Sequence, residues 1–76
     1  LAFDLAPAGV RVNAIAPGEI DTAILSPGTP HIVERDIPMH RLGSTAEVAD
    51  LIWFLCSPQA TYITGAEIPI NGGQHV

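Results

Sequence analysis

Residues 10–16 of this chain read Val-Arg-Val-Asn-Ala-Ile-Ala and run straight into Pro17-Gly18. Val10, Val12 and Ile15 favour extended backbone, while Ala14 and Ala16 are small enough to lie under close-packed helices. A mostly apolar run of this kind fits a parallel strand covered on both faces. Ligands of open α/β sheets lie beyond the carboxyl ends of such strands, and Pro17-Gly18 falls at one. Gly18 has no side chain to keep a flat ligand from the backbone. Thr22, four residues on, offers both a donor and an acceptor. Asn13 is polar in an apolar run, so wherever it is buried it needs hydrogen-bond partners.

The rest of the chain bounds what such a strand can belong to. Its 76 residues make at most one small domain, and 47% hydrophobic against 14% charged residues is rich for that size. A small self-contained domain needs more charge on its surface, so the composition fits a piece of a larger core better. Eight acidic residues against three basic ones give a net charge of −5. That balance argues against nucleic acid or an anionic membrane as partner, since both select basic faces. The single cysteine, Cys56, allows no internal disulfide and fits a reducing, cytoplasmic setting. No apolar run approaches the roughly 18–20 residues of a membrane helix, and no basic-then-apolar leader opens the chain.

Read for elements, residues 1–9 are the end of a helix, stopped by Pro7 and Gly9. Residues 10–18 are the strand (10–16) and its Pro-Gly turn. Residues 19–43 are weakly periodic and interrupted by Pro27, Pro30 and Pro38, a length that marks a lid or binding loop. A short helix is expected inside it, with Thr29 as N-cap and Pro30 at the first helical position. Residues 44–57 form a helix opened by a capping box, Ser44-Thr45-Ala46-Glu47. Val48, Leu51, Ile52 and Leu55 follow as one apolar stripe, and Ser57-Pro58 ends it. Residues 66–73 are a strand (66–70) and a terminal turn, and Pro69 places that strand at a sheet edge. Strand, helix, strand is one right-handed parallel crossover, hence an α/β class.

The segment Asn13-Ala14-Ile15-Ala16-Pro17-Gly18-Glu19-Ile20-Asp21-Thr22 resembles the Asn-Ala-x-x-Pro-Gly-x-Ile-x-Thr block of the short-chain dehydrogenase/reductase family. Residues 1–9 resemble the end of that family's long interface helix. Pro38 to Gly43 is similar to its Pro-x-x-Arg-x-Gly segment. Glu47-Val48-Ala49, Phe54-Leu55, Tyr62-Ile63-Thr64-Gly65 and Asn71-Gly72-Gly73 follow in the family's order. Asn71 stands where the family commonly has Asp, a change that keeps the hydrogen-bonding shape. The resemblance covers nearly the whole chain and implies the last two strands, crossover helix and lid of a Rossmann-like, doubly wound parallel sheet. The family's Tyr-x-x-x-Lys and Gly-rich turn are not found: the chain has no lysine, and its only tyrosine, Tyr62, precedes Ile63-Thr64-Gly65-Ala66. The expectation is therefore the C-terminal third of an enzyme, itself without catalytic residues.

What the resemblance implies is hydride transfer between NAD or NADP and a small-molecule alcohol or carbonyl substrate. Pro17, Gly18, Ile20 and Thr22 would border the nicotinamide, the Ile20 backbone meeting its carboxamide and Thr22 the carboxamide or pyrophosphate. Ile24, Leu25, Ile37, Met39 and His40 either line a substrate pocket under the lid or simply pack. Trp53 and Phe54 lie beside an already complete stripe, which implies a second contact. With Ile68 and Ile70 on the edge strand they would form the interface of a homo-oligomer, a tetramer or dimer. A competing expectation is a non-catalytic binding or regulatory protein on the same fold. His31, His40 and His75 have no metal-ligand spacing, so no metal is expected. Arg41 is expected to anchor its loop through carbonyls or an acid such as Glu47. Cys56 reads as a small buried hydrophobe.

Overall fold

A computed structural model of the chain describes residues 1–22 and 28–74. Its core unit is two parallel strands, β1 (Ala14–Pro17) and β2 (Glu67–Ile70), paired Ala14 to Glu67 through Pro17 to Ile70. Among the described residues three helices accompany them: α1 (Ala2–Leu5), α2 (Thr29–Arg35) and α3 (Thr45–Leu55). Single 3-10 turns follow α1, at Ala6–Ala8, and α3, at Pro58–Ala60.

Register decides which side chains share a face. Ile15 pairs with Ile68 and Pro17 with Ile70, so these four lie on one side and Ala14, Ala16, Glu67 and Pro69 on the other. Ile15 lines a groove together with Ile52 and Leu55, which makes the isoleucine face the one α3 covers. The ladder ends Ala14 N–H to Ala66 C=O and Gly18 N–H to Ile70 C=O, 2.9 and 3.0 Å, put the even-numbered residues of both strands toward each other. Pro69 therefore turns its nitrogen away from β1, where the missing donor costs no ladder bond. Among the described residues β2 has β1 as its one neighbour.

The helix α3 forms for local reasons. Ser44 Oγ accepts from Glu47 N–H at 3.0 Å, and Glu47 Oε1 accepts from Ser44 N–H at 2.9 Å, closing both halves of the capping box. Leu55 is buried, and Val48 and Leu51 are half-buried. Ile52, on the same stripe, remains 46% exposed because the groove it lines with Arg11, Val12, Asn13 and Ile15 is open.

Several boundaries differ from the sequence reading. The first strand begins at Ala14, not at residue 10, because side chains take the place of ladder bonds before it. Val10 N–H turns back to Leu5 C=O, 3.3 Å, completing the end of the helix. Val12 N–H donates to Thr64 Oγ1 at 3.1 Å. The Asn13 amide donates to Ile63 C=O and accepts from Ala66 N–H, both at 3.0 Å. The second strand starts at Glu67 rather than residue 66 for the same reason, since Ala66 N–H is taken by Asn13. The helix expected over 44–57 is α3 at Thr45–Leu55, with Ser44 as its cap and a separate 3-10 turn after Ser57. In α2 the N-cap is Gly28, and Thr29, expected there, is the buried first helical residue. Pro30 tolerates this shift, since a first-turn N–H has no helical partner to lose.

The packing is open. The Cα radius of gyration is 15.0 Å, where a compact domain of this length would have about 11 Å. Ile37, Leu55 and Ala60 are the buried apolar residues among those described, while Phe3, Trp53 and Tyr62 are largely exposed; Cys56, expected to be buried, is exposed at the C-cap of α3.

Candidate functional site

The carboxyl ends of β1 and β2 meet at Pro17-Gly18 and Asn71. A Cβ on Gly18 would stand 2.7 Å from the Asn71 Cβ and 3.0 Å from its Cα, so no larger residue fits without backbone movement. Asn71 is itself fixed by its own turn, Oδ1 accepting from Gly73 N–H at 3.0 Å. The Pro-Gly turn is thus clamped at the end of the sheet, where α/β proteins place their ligands.

Beyond the turn, residue 20 forms a one-residue parallel bridge with residue 43. Gly43 N–H donates to Glu19 C=O at 3.1 Å, and Asp21 N–H donates to Gly43 C=O at 2.8 Å. In this pattern Gly43 directs both its groups at the neighbours of Ile20, so the amide and carbonyl of Ile20 itself point the opposite way. One donor and one acceptor on adjacent backbone atoms match a primary carboxamide, which offers the complementary pair.

The partner segment is held from two sides. Met39 N–H donates to Gly72 C=O at 3.1 Å, and His40 N–H to Ile37 C=O at 2.8 Å, with His40 in the left-handed region at φ 55°. Arg41 then places a two-pronged guanidinium on Glu47, 2.8 and 3.0 Å, while Nη1 also donates to Leu42 C=O at 3.1 Å. The Arg41 guanidinium, followed by the Ser44 amide, holds the Glu47 carboxyl down at about 2 against an ordinary 4.5. The same pairing raises the Arg41 pKa. Glu19, Met39, Arg41, Gly43, Glu47 and Ile70 are among the residues lining a small pocket of about 110 Å³ behind the bridge.

Of the expected cofactor residues, Pro17, Gly18 and Ile20 lie together on this one stretch, and Thr22 is exposed two residues past the bridge. Of the expected lid residues, Ile24 and Leu25 lie outside the described residues. Ile37 is buried, its Cγ2 standing 2.9 Å from where a Gly72 Cβ would be, whereas Met39 and His40 are exposed. Trp53 is 79% exposed and Phe54 40%; Ile68 and Ile70 are half-buried on the α3 face. Gly43 and Asn71 were not singled out as site residues, though the first orients Ile20 and the second fixes Gly18. A glycine following Arg41-Leu42 and an Asx turn before two glycines were the signals available for them. Among the described residues no group of three or more His, Cys, Asp or Glu is clustered.

Residues 1–75 match the family model described as enoyl-(acyl carrier protein) reductase. The solved short-chain dehydrogenase of Bacillus anthracis superposes on the whole chain with a TM-score of 0.85 at 39% identity, this chain covering 29% of it. The chain belongs to the short-chain dehydrogenase/reductase family. Within the family it is 60% identical over 76 residues to protein FixR of Bradyrhizobium diazoefficiens, covering all of this chain and 27% of that one. It is 50% identical over 76 residues to the 3-oxoacyl-[acyl-carrier-protein] reductase FabG of Aquifex aeolicus, covering 96% of this chain and 31% of that one. A blue fluorescent protein from a metagenomic library, solved in complex with NADPH, superposes with a TM-score of 0.92 at 28% identity over 99% of this chain and 31% of its own. The chain thus spans somewhat under a third of the length of these family members.

Proposed function

We propose that this segment forms the nicotinamide-side wall of an NAD(P)-dependent oxidoreductase, as the C-terminal part of a Rossmann-like domain. The observation that carries the reading is the orientation of Ile20: its amide and carbonyl face away from Gly43 beside the clamped Pro17-Gly18 turn. A nicotinamide carboxamide fits that donor–acceptor pair, and the family relationship to an NADPH-bound protein and to a 3-oxoacyl reductase supports the choice.

The cofactor, when bound, supplies the hydride chemistry with an alcohol or carbonyl substrate. The residues of this chain position it. Gly18 and Pro17 keep the wall flat and fixed, Ile20 holds the carboxamide, and Thr22 adds a hydroxyl toward the carboxamide or pyrophosphate. Residues 19–43 then form a substrate lid, with Met39 and His40 among its exposed members. The proton-transfer tyrosine and its lysine come from elsewhere in the domain, because the chain has no lysine and Tyr62 is not followed by one. Trp53 and Phe54 serve a subunit contact, together with the β2 edge that carries Ile68 and Ile70.

The test is titration of the intact protein that carries this segment with NADPH and NADH, followed by nicotinamide fluorescence. Saturable binding of at least one is expected. Binding of neither would sink the reading.

A further inference from the structure

We infer that Arg41 is a positioning residue for the nicotinamide carboxamide, acting through the 41–43 segment on the backbone of Ile20; this rests on the cofactor reading above. The chain of contacts is continuous. Glu47 is immobilised by the capping box of α3, its Oε1 taking the Ser44 amide. Arg41 docks on both oxygens of that carboxylate and on Leu42 C=O, so one guanidinium ties the helix start to the peptide just before Gly43. Gly43 in turn contacts Glu19 and Asp21, the two residues that flank Ile20. A planar fork fixes both distance and angle, which a point charge on a flexible stem does not.

Glu19, Arg41, Gly43 and Glu47 line the same small pocket, so the guanidinium fork stands beside the bridge it steadies. Upstream, the segment turns sharply at His40, whose left-handed φ of 55° leaves the backbone little tendency to hold the register unaided.

The experiment uses the intact protein and two probes, NADPH or NADH (whichever binds) and the matching ADP-ribose, which retains the adenosine and pyrophosphate but lacks nicotinamide. Arg41→Gln should raise the dissociation constant of the nicotinamide cofactor by roughly three- to tenfold, leaving that of the ADP-ribose within twofold by the same scale. Arg41→Lys, which keeps the charge without the fork, should fall between. Equal weakening of both probes would show a general structural role and overturn the inference. Unchanged cofactor affinity in Arg41→Gln and Arg41→Lys would overturn it too, while leaving the cofactor reading intact. Failure of the unsubstituted protein to bind any nicotinamide cofactor would remove both. Should Arg41→Gln fail to fold, Arg41→Lys alone decides by the same comparison of probes.

Discussion

Glu47 accepts hydrogen bonds from both Arg41 nitrogens and from the Ser44 amide, which keeps it ionised to about pH 2 in the folded chain. Unfolded, it protonates near the ordinary 4.5. Between those values the unfolded state binds more protons, so stability falls as the pH drops through the window and is fully present above it. In the intact protein, Glu47→Gln should therefore lower the denaturant midpoint at about pH 6 and converge with the parent near pH 2. Identical acid limbs would mean that the ion pair does not couple to folding. The pair is exposed, so its larger effect is on local geometry and not on global stability. Thr22 tests the site directly. Thr22→Val removes the hydroxyl at nearly constant volume and should weaken cofactor binding by about 0.5–1.5 kcal/mol. Unaltered affinity by fluorescence titration would take Thr22 out of the site.

The start of β1 depends on one side chain spanning fifty residues of sequence. Asn13 supplies a donor to Ile63 C=O and an acceptor to Ala66 N–H, the role a backbone peptide plays further along the ladder. Asn13→Ala orphans Ala66 N–H and leaves Ile63 C=O only the longer bond from Arg11 Nη1, 3.3 Å, so it should destabilise the intact protein by roughly 1–3 kcal/mol. Asn13→Asp keeps the acceptor but sets a carboxylate against a carbonyl, so it should not rescue. A neutral alanine variant in chemical denaturation would show that water satisfies both groups. That dependence explains which elements were legible in the sequence. The helix α3 was, because Ser44, Glu47 and the stripe from Val48 to Leu55 act within a few residues of one another. The parallel pairing, the polar exception at Asn13 and the Arg41–Glu47 contact were legible as well. The shortening of β1 was not, because Ile63, Thr64 and Ala66 lie too far away in sequence for periodicity to reveal them. The Ile20–Gly43 bridge was hidden for a related reason: a single-residue bridge imposes no alternation, and the loop between its halves carries prolines instead of a period.

At the scale of the whole chain, the exposed apolar side chains fall on separate faces, and each face points to a neighbour. Trp53 and Phe54 share an open groove with Pro58 and Gln59, and the subunit contact proposed for this face predicts a strong response to charge. A two-fold contact meets the same substitution twice, so Trp53→Glu in the intact protein should shift light scattering toward smaller species; an unchanged mass would remove the contact. The second face is the free side of β1. Its odd-numbered residues turn their backbone groups away from β2, and the groove of about 380 Å³ lined by half-buried Ile15 and exposed Ile52 lies open. Two parallel strands with one covered face leave both apolar area and peptide groups without partners. The radius of gyration of 15.0 Å reports the same lack of closure. The 76 residues expressed alone should therefore melt weakly and without a sharp transition by circular dichroism, the capped α3 retaining some helix while the β1–β2 pair frays. If the isolated monomer instead unfolded in one cooperative step, the two strands and α3 would have to close a core by themselves, and a further strand beside β1 would no longer be required.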